Sequence, residues 1–111
     1  MKYNVLVTDN FRKEFKKLHK KYPSLKNDIL QIVNQLELSP KQGISLGRNC
    51  YKIRVSITSK GKGKSGGGRL ITYLTIQKQI VYLLSIYDKS NKESIEDHEL
   101  DFLLKISGIV K

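Results

Sequence analysis

Two arginines, a lysine and two tyrosines define the chemistry to look for. Lys52 and Arg54 alternate with Tyr51, Ile53, Val55 and Ile57, and Arg69 and Tyr73 with Leu70, Thr72 and Leu74. In a strand, successive side chains point to opposite faces. If the apolar sets claim the core, Lys52, Arg54, Arg69 and Tyr73 are left on the opposite, open face. A third run, Ile80 to Tyr87, places Tyr82, Leu84 and Ile86 inward and adds Ser85 and Tyr87 to the open face. Guanidinium forks grip a phosphate bidentately, and tyrosine supplies a stacking surface and a hydroxyl. Taken singly, each is what a wet strand face ordinarily carries. As a group with no acid among them, they read as an anion site.

Between the first two runs lies Ser59-Lys60-Gly61-Lys62-Gly63-Lys64-Ser65-Gly66-Gly67-Gly68. Its glycines read as flexibility and positive φ in a long loop, and Lys60, Lys62 and Lys64 are placed to reach a nucleic-acid backbone. Gly61-x-Gly63-x-x-Gly66 matches a dinucleotide fingerprint only formally, because a strand follows where a helix must begin. Gly63-Lys64-Ser65 fails as a P-loop for the same reason, and Thr58 stands where that motif needs its first glycine.

The charge distribution points the same way. The chain of 111 residues carries 21 bases and 10 acids, a net +11, and residues 38–87 hold nine of the bases and no acid. Residues 88–111 hold four bases and six acids. Acids excluded from one stretch, rather than diluted throughout, make a field suited to a polyanion: nucleic acid or an acidic partner protein.

Other chemistries find little support. One cysteine and two histidines on separate predicted helices give no metal-ligand set, so neither metal nor cofactor is expected. His19 reads as a surface residue of a lysine-rich helix, His98 as structural, and Cys50 as a packed thiol rather than a nucleophile. A lone cysteine allows no internal disulfide, and a reducing compartment, the cytoplasm, follows. The longest apolar stretch, Ile80 to Leu84, is far short of the roughly 20 residues a membrane span needs, and no secretory signal is readable.

The elements that must position these residues follow from hydrophobic period. Residues 1–111 are the size of one domain. Tyr3 to Thr8 reads as a strand, with Thr8-Asp9-Asn10 offering a helix cap. Phe11, Phe15, Leu18 and Tyr22 make one helical stripe, and Leu25, Ile29, Ile32, Val33 and Leu36 a second. Tyr22-Pro23-Ser24 breaks the first and places Pro23 in the next helix's first turn; Ser39-Pro40 ends the second. Three strands follow, the last two joined by Gln77-Lys78-Gln79. Glu96 to Ile106 closes as a helix with Leu100, Leu103 and Leu104 on its apolar face. The predicted order is β-α-α-β-β-β-α: an α+β fold with a helical hairpin packed on one face of a largely antiparallel four-stranded sheet.

Cys50-Tyr51-Lys52-Ile53-Arg54, the segment from Ser59 through Gly68 to Tyr73, and Tyr82 to Lys89 resemble the RelE/HigB toxins of bacterial type II toxin–antitoxin systems. The lysine–glycine loop before a glycine-rich strand is close to the HigB-like branch, and the hairpin and last helix extend the resemblance over nearly the whole chain. The resemblance implies a RelE-like fold and a ribosome-dependent mRNA endoribonuclease that halts translation and is neutralised by a cognate antitoxin. It carries catalytic roles to Lys52, Arg54, Arg69, Tyr87 and Lys89; the loop and strand reading assigns RNA binding to Lys60, Lys62, Lys64 and Tyr73. Some relatives use a tyrosine in the C-terminal segment; Glu93-Ser94-Ile95-Glu96 has none, which leaves Tyr87 as the hydroxyl candidate. Relatives that use histidines have no counterpart here at the strand positions.

The implied chemistry needs no metal. A ribose 2′-hydroxyl attacks the adjacent phosphorus and leaves a cyclic phosphate. Arg54 and Arg69 meet the transition-state charge, and Lys52 or Tyr87 serves as base. A ParE-like gyrase inhibitor and a non-catalytic RNA- or antitoxin-binding module are the alternatives.

Overall fold

In the computed structural model, residues 2–92 and 94–109 are described. The elements run β1 (Asn4–Val7), α1 (Asp9–Lys21), α2 (Leu25–Leu38), β2 (Ile44–Gly47), β3 (Cys50–Val55), a 3-10 turn (Thr58–Lys60), one helical turn α3 (Gly63–Gly66), β4 (Gly68–Thr75), β5 (Ile80–Asp88) and α4 (Asp97–Ile106). The sheet order is β1-β5-β4-β3-β2, antiparallel except that β1 pairs parallel with β5. The parallel pair demands a long crossover, and the rest of the chain supplies it.

Thr8 ends β1 and caps α1, its hydroxyl accepting from Phe11 N at 3.1 Å and donating to Leu83 O at 3.1 Å. Asp9 opens α1 and His19, Lys20 and Lys21 close it, each complementing the helix dipole. Pro23 stands outside α2, before its cap residue Ser24, rather than in its first turn. The two helical stripes meet one face of the sheet. Phe11, Tyr22, Leu25, Ile29 and Leu36 pack there against Ile53, Val55, Ile57, Leu70, Leu74, Val81, Leu83 and Ile86.

Four features depart from the expected fold. A fifth strand, β2, pairs with the first half of β3 through a tight turn in which Arg48 and Asn49 take positive φ. Four residues with one wet face are too few to show a period, so composition hid it. The glycine loop also contains α3, a helical turn too short to revive either phosphate-loop motif.

The second face is not open. α4 lies against it, and Cys50, Ile71, Leu84, Leu100 and Leu104 form a second small core, with Tyr73, Tyr82 and Tyr87 packed on it. The fourth departure is a β-bulge. The β4–β5 register slips between Ile71 and Thr72, so Val81 and Leu83 face the hairpin while Leu84 joins the α4 side. The inward set Tyr82-Leu84-Ile86 is therefore correct only at Ile86. Glu14 of α1 covers the irregular strand, accepting from Ile86 N at 3.3 Å and from Asn10 Nδ2 at 2.8 Å. Burial raises its pKa, and bonds from the Ser85 hydroxyl, Ile86 N and Asn10 act against that rise. Ser85 is thereby drawn to Glu14 and not to the open face.

Candidate nucleic-acid interface

The register sets Arg54, Arg69 and Tyr87 side by side on β3, β4 and β5, with Lys52 and Ile71 in the next rank. Parity thus assigns the correct face, but not the correct exposure. Arg54 is exposed and Lys52 half-buried. Because β2 pairs only as far as Lys52, the rest of β3 keeps an open edge. Along it runs a cleft of about 690 Å³, with Lys52, Arg54 and Ser56 of the β3 segment, Gln31 and Gln35 of α2, Gln42 before β2, and Lys64 of α3 among its lining. The one acid in its wall, Asp28, is engaged: it accepts from Thr58 N at 3.0 Å, Thr58 Oγ1 at 2.7 Å and Ser24 Oγ at 2.8 Å.

Arg69 is expected outward and is instead only 4% exposed. Its guanidinium donates to Lys64 O at 3.0 Å, Gly68 O at 2.8 Å and Ser65 O at 3.2 Å. The α3 turn lies over it, a contact strand parity has no means of showing. Tyr87 is also less accessible than expected. Its hydroxyl is buried with no hydrogen-bond partner among the described residues, the Lys92 ammonium sits 5.4 Å above its ring, and burial raises its pKa despite nearby Arg69. Tyr73 stays out of the basic cleft and pairs with Tyr82 at a ring separation of 6.3 Å.

The lysine loop is anchored rather than uniformly mobile. Lys60 Nζ donates to Asp88 Oδ1 at 2.6 Å, and the Asp88 side chain is fully buried. Asp88 also accepts from Tyr22 Oη at 2.7 Å and from Ser90 Oγ at 2.6 Å and Ser90 N at 3.0 Å. Burial pushes its pKa up, but the bonds from Lys60, Ser90 and Tyr22 outweigh it and hold the carboxyl well below the usual range. Lys60 therefore spends its charge inside the protein, while Lys62 and Lys64 are exposed. Lys89 lies apart from Lys52 and Arg54, in a shallower depression of about 400 Å³ with Lys60, Lys62 and Lys92. Asp88 escaped the sequence reading, although it is the first acid after fifty residues without one.

Cys50 is fully buried, and burial pushes its thiol up to about 11, countered in part by Arg48. His19 is half-buried and stacked on Phe15 at 5.3 Å, not a free surface group. His98 is exposed beside Glu96. Glu96, His98 and Glu99 offer ligand atoms within 4.8 Å of one another, but the Glu99 carboxylate already holds Lys92 and Glu96 N in the α4 capping box. Among the described residues no helix is long and apolar enough to cross a membrane.

The fold is shared with known proteins. The E. coli toxin RelE, as a double arginine-to-alanine variant in the free state, superposes with a TM-score of 0.61 at 20% identity, covering 84% of this chain and 90% of that one. The isolated E. coli RelE toxin gives 0.60 at 18% identity, covering 94% and 98%. A RelBE toxin–antitoxin complex from Mycobacterium tuberculosis gives 0.55 at 16% identity, covering 79% and 99%. At these identities the likeness shows the fold. The family model for the RelE toxin of the RelE/RelB toxin–antitoxin system matches residues 9–111, and the chain belongs to that family of toxins.

Proposed function

We propose that the protein is a ribosome-dependent mRNA endoribonuclease that inhibits translation and is neutralised by a cognate antitoxin. One observation carries this reading: Lys52, Arg54 and Lys64 converge on one open cleft whose single acid is already hydrogen-bonded elsewhere. The cleft presents positive charge to a phosphate backbone, and the amides of Gln31, Gln35 and Gln42 suit the edges of unstacked bases. Arg54 meets the charge that gathers on the phosphate as the 2′-oxygen attacks phosphorus. Lys52, lining the same cleft, is the side chain placed to take the 2′-hydroxyl proton. The P–O5′ bond breaks, leaving a 2′,3′-cyclic phosphate, and the 5′-oxygen takes a proton from solvent in the open cleft. Tyr87 holds its proton more tightly than usual and keeps its hydroxyl buried, so it is the poorer base. The ribosome supplies orientation, which a site this open lacks.

The antitoxin reading draws on family membership and on the fold shared with RelE toxins solved with their antitoxin partners. One observation favours a non-catalytic RNA-binding module instead: the Arg69 guanidinium and the Tyr87 hydroxyl, both expected in catalysis, are occluded. Mapping mRNA 5′ ends on programmed ribosomes with the wild type, Lys52→Ala and Arg54→Ala decides. Cleavage at the ribosome that falls at least about 100-fold in each folded variant supports the enzyme, since a general base and a transition-state charge stabiliser each contribute at least about that much. A wild type that binds the ribosome and yields no new 5′ ends removes it.

A further inference from the structure

We infer that Arg69 is a positioning residue: it holds the Gly63–Gly66 turn so that Lys64 stands in the cleft wall, and it does not itself touch RNA. The inference rests on the reading that this cleft takes an RNA strand.

The guanidinium bonds account for the role. Of five N–H donors, three go to carbonyls of Lys64, Ser65 and Gly68, at 3.0, 3.2 and 2.8 Å. Carbonyl dipoles, two of them from the α3 turn, therefore already answer its charge. The residue is 4% exposed, so contact with RNA would require those three bonds to break first.

The turn needs this support. Its four residues are too few for a helix that stands by itself, and its closing bond from Gly66 N to Lys62 O is long at 3.3 Å. The chain is fixed on both sides of it. Lys60 is bound to Asp88 before Gly61 turns the backbone at φ +74°. Gly67 lies so close to the end of β3 that a Cβ there would meet Val55 O at 2.0 Å. Between these anchors, Arg69 is, among the described residues, the side chain that donates to the turn's carbonyls. Lys64 has no acid partner among the described residues and lines the cleft with Lys52 and Arg54.

The test is a double-mutant cycle read without the ribosome. The full-length wild type, Lys64→Ala, Arg69→Ala, Arg69→Gln and the Lys64→Ala/Arg69→Ala double variant are titrated with a labelled single-stranded RNA across a salt series. Amide hydrogen exchange of residues 63–66 is followed in parallel. Loss of one phosphate contact in Lys64→Ala should weaken binding about fivefold and reduce the salt slope by about 0.7. Arg69→Ala should reproduce that loss and speed exchange of residues 63–66 by at least about tenfold, and the double variant should be no more than about twofold weaker than either single variant, as coupled sites require. Arg69→Gln keeps an N–H donor without the charge, so it should bind within about threefold of wild type, its donor still making a hydrogen bond to the turn. Losses that multiply in the double variant overturn the inference, because Arg69 then contacts RNA independently. So does an Arg69→Gln protein that binds as weakly as Arg69→Ala while exchange of residues 63–66 stays at the wild-type rate. If the wild type binds RNA yet cleaves nothing on ribosomes, the proposed enzyme fails and the cycle still decides the role of Arg69. If the wild type binds no RNA, both fall.

Discussion

Replacing Lys60 with Met tests whether the lysine loop is anchored. The change removes the ammonium that donates to Asp88 and keeps most of the buried aliphatic stem. Removing one partner of a buried ion pair costs roughly 3–5 kcal/mol. Asp88 retains Tyr22 Oη, Ser90 N and Ser90 Oγ, which places the cost at the low end, about 3 kcal/mol. For a domain of this size that is about 12 °C in melting temperature. The pH dependence adds a second signature. In the wild type the Asp88 carboxyl titrates below its ordinary range, so its stabilising contribution is complete above the unfolded-state pKa, about 4, and is lost as pH falls below it. In Lys60→Met, burial is less well offset and the carboxyl titrates higher. The stability gap between the two proteins should therefore be widest near neutral pH and narrow as pH falls from the variant's folded-state value toward the lower wild-type one. Urea melts followed by circular dichroism across an acid pH series measure it. A gap under about 1 kcal/mol at neutral pH would refute the anchoring, since an exposed pair contributes no more than that. A gap that does not change with pH would refute the assignment to Asp88.

Three further outcomes follow from the same geometry. Arg69→Ala orphans three carbonyls and should lower stability by about 2–3 kcal/mol in urea melts, where an outward arginine would cost nearly nothing. The Cys50 thiol, buried and pushed up to about 11, should resist iodoacetamide at pH about 8 in the native protein and react promptly in denaturant; fast native alkylation would show the second core to be open. Charge reversal at Lys52 and Arg54 should weaken an acidic neutralising partner at least about tenfold at low salt and much less at high salt, and a neutraliser indifferent to both would not cover this cleft.

Period and parity carry a great deal of this molecule. The helical stripes Phe11 to Tyr22 and Leu25 to Leu36 reach the core as their spacing requires, and Tyr51, Ile53, Val55 and Ile57 meet them. Parity fails where one residue too many enters a strand. The slip between Ile71 and Thr72 sends Leu84 to the α4 side, and a bulge leaves no mark in composition. Exposure is a different question from face. Arg69 and Tyr87 lie on the face parity assigns, yet one is roofed by α3 and the other is half-buried on the α4 side with its hydroxyl covered. Both coverings come from segments distant or irregular enough that alternation does not reach them. The loop misleads in another way. Glycine and lysine in alternation suggest mobility, but Lys60 finds Asp88, 28 residues away along the chain.

The loop's anchors also explain how so positive a segment stays folded. Its first three residues, Thr58 to Lys60, are each held by a group outside the acid-free stretch: Asp28 takes the Thr58 amide and hydroxyl, Ser24 Oγ takes the Ser59 amide, and Asp88 takes the Lys60 ammonium. Both acids are buried and hydrogen-bonded, so they hold the segment from within rather than presenting carboxylates at its surface. An exposed carboxylate would stabilise the loop equally by contact but would repel a phosphate from the same surface. Placing the acids beneath the loop separates the two tasks. Lys60 is consumed in holding the fold, and Lys52, Arg54, Lys62 and Lys64 remain for a polyanion. The charge that matters for binding is thus smaller than the sequence total and more sharply placed.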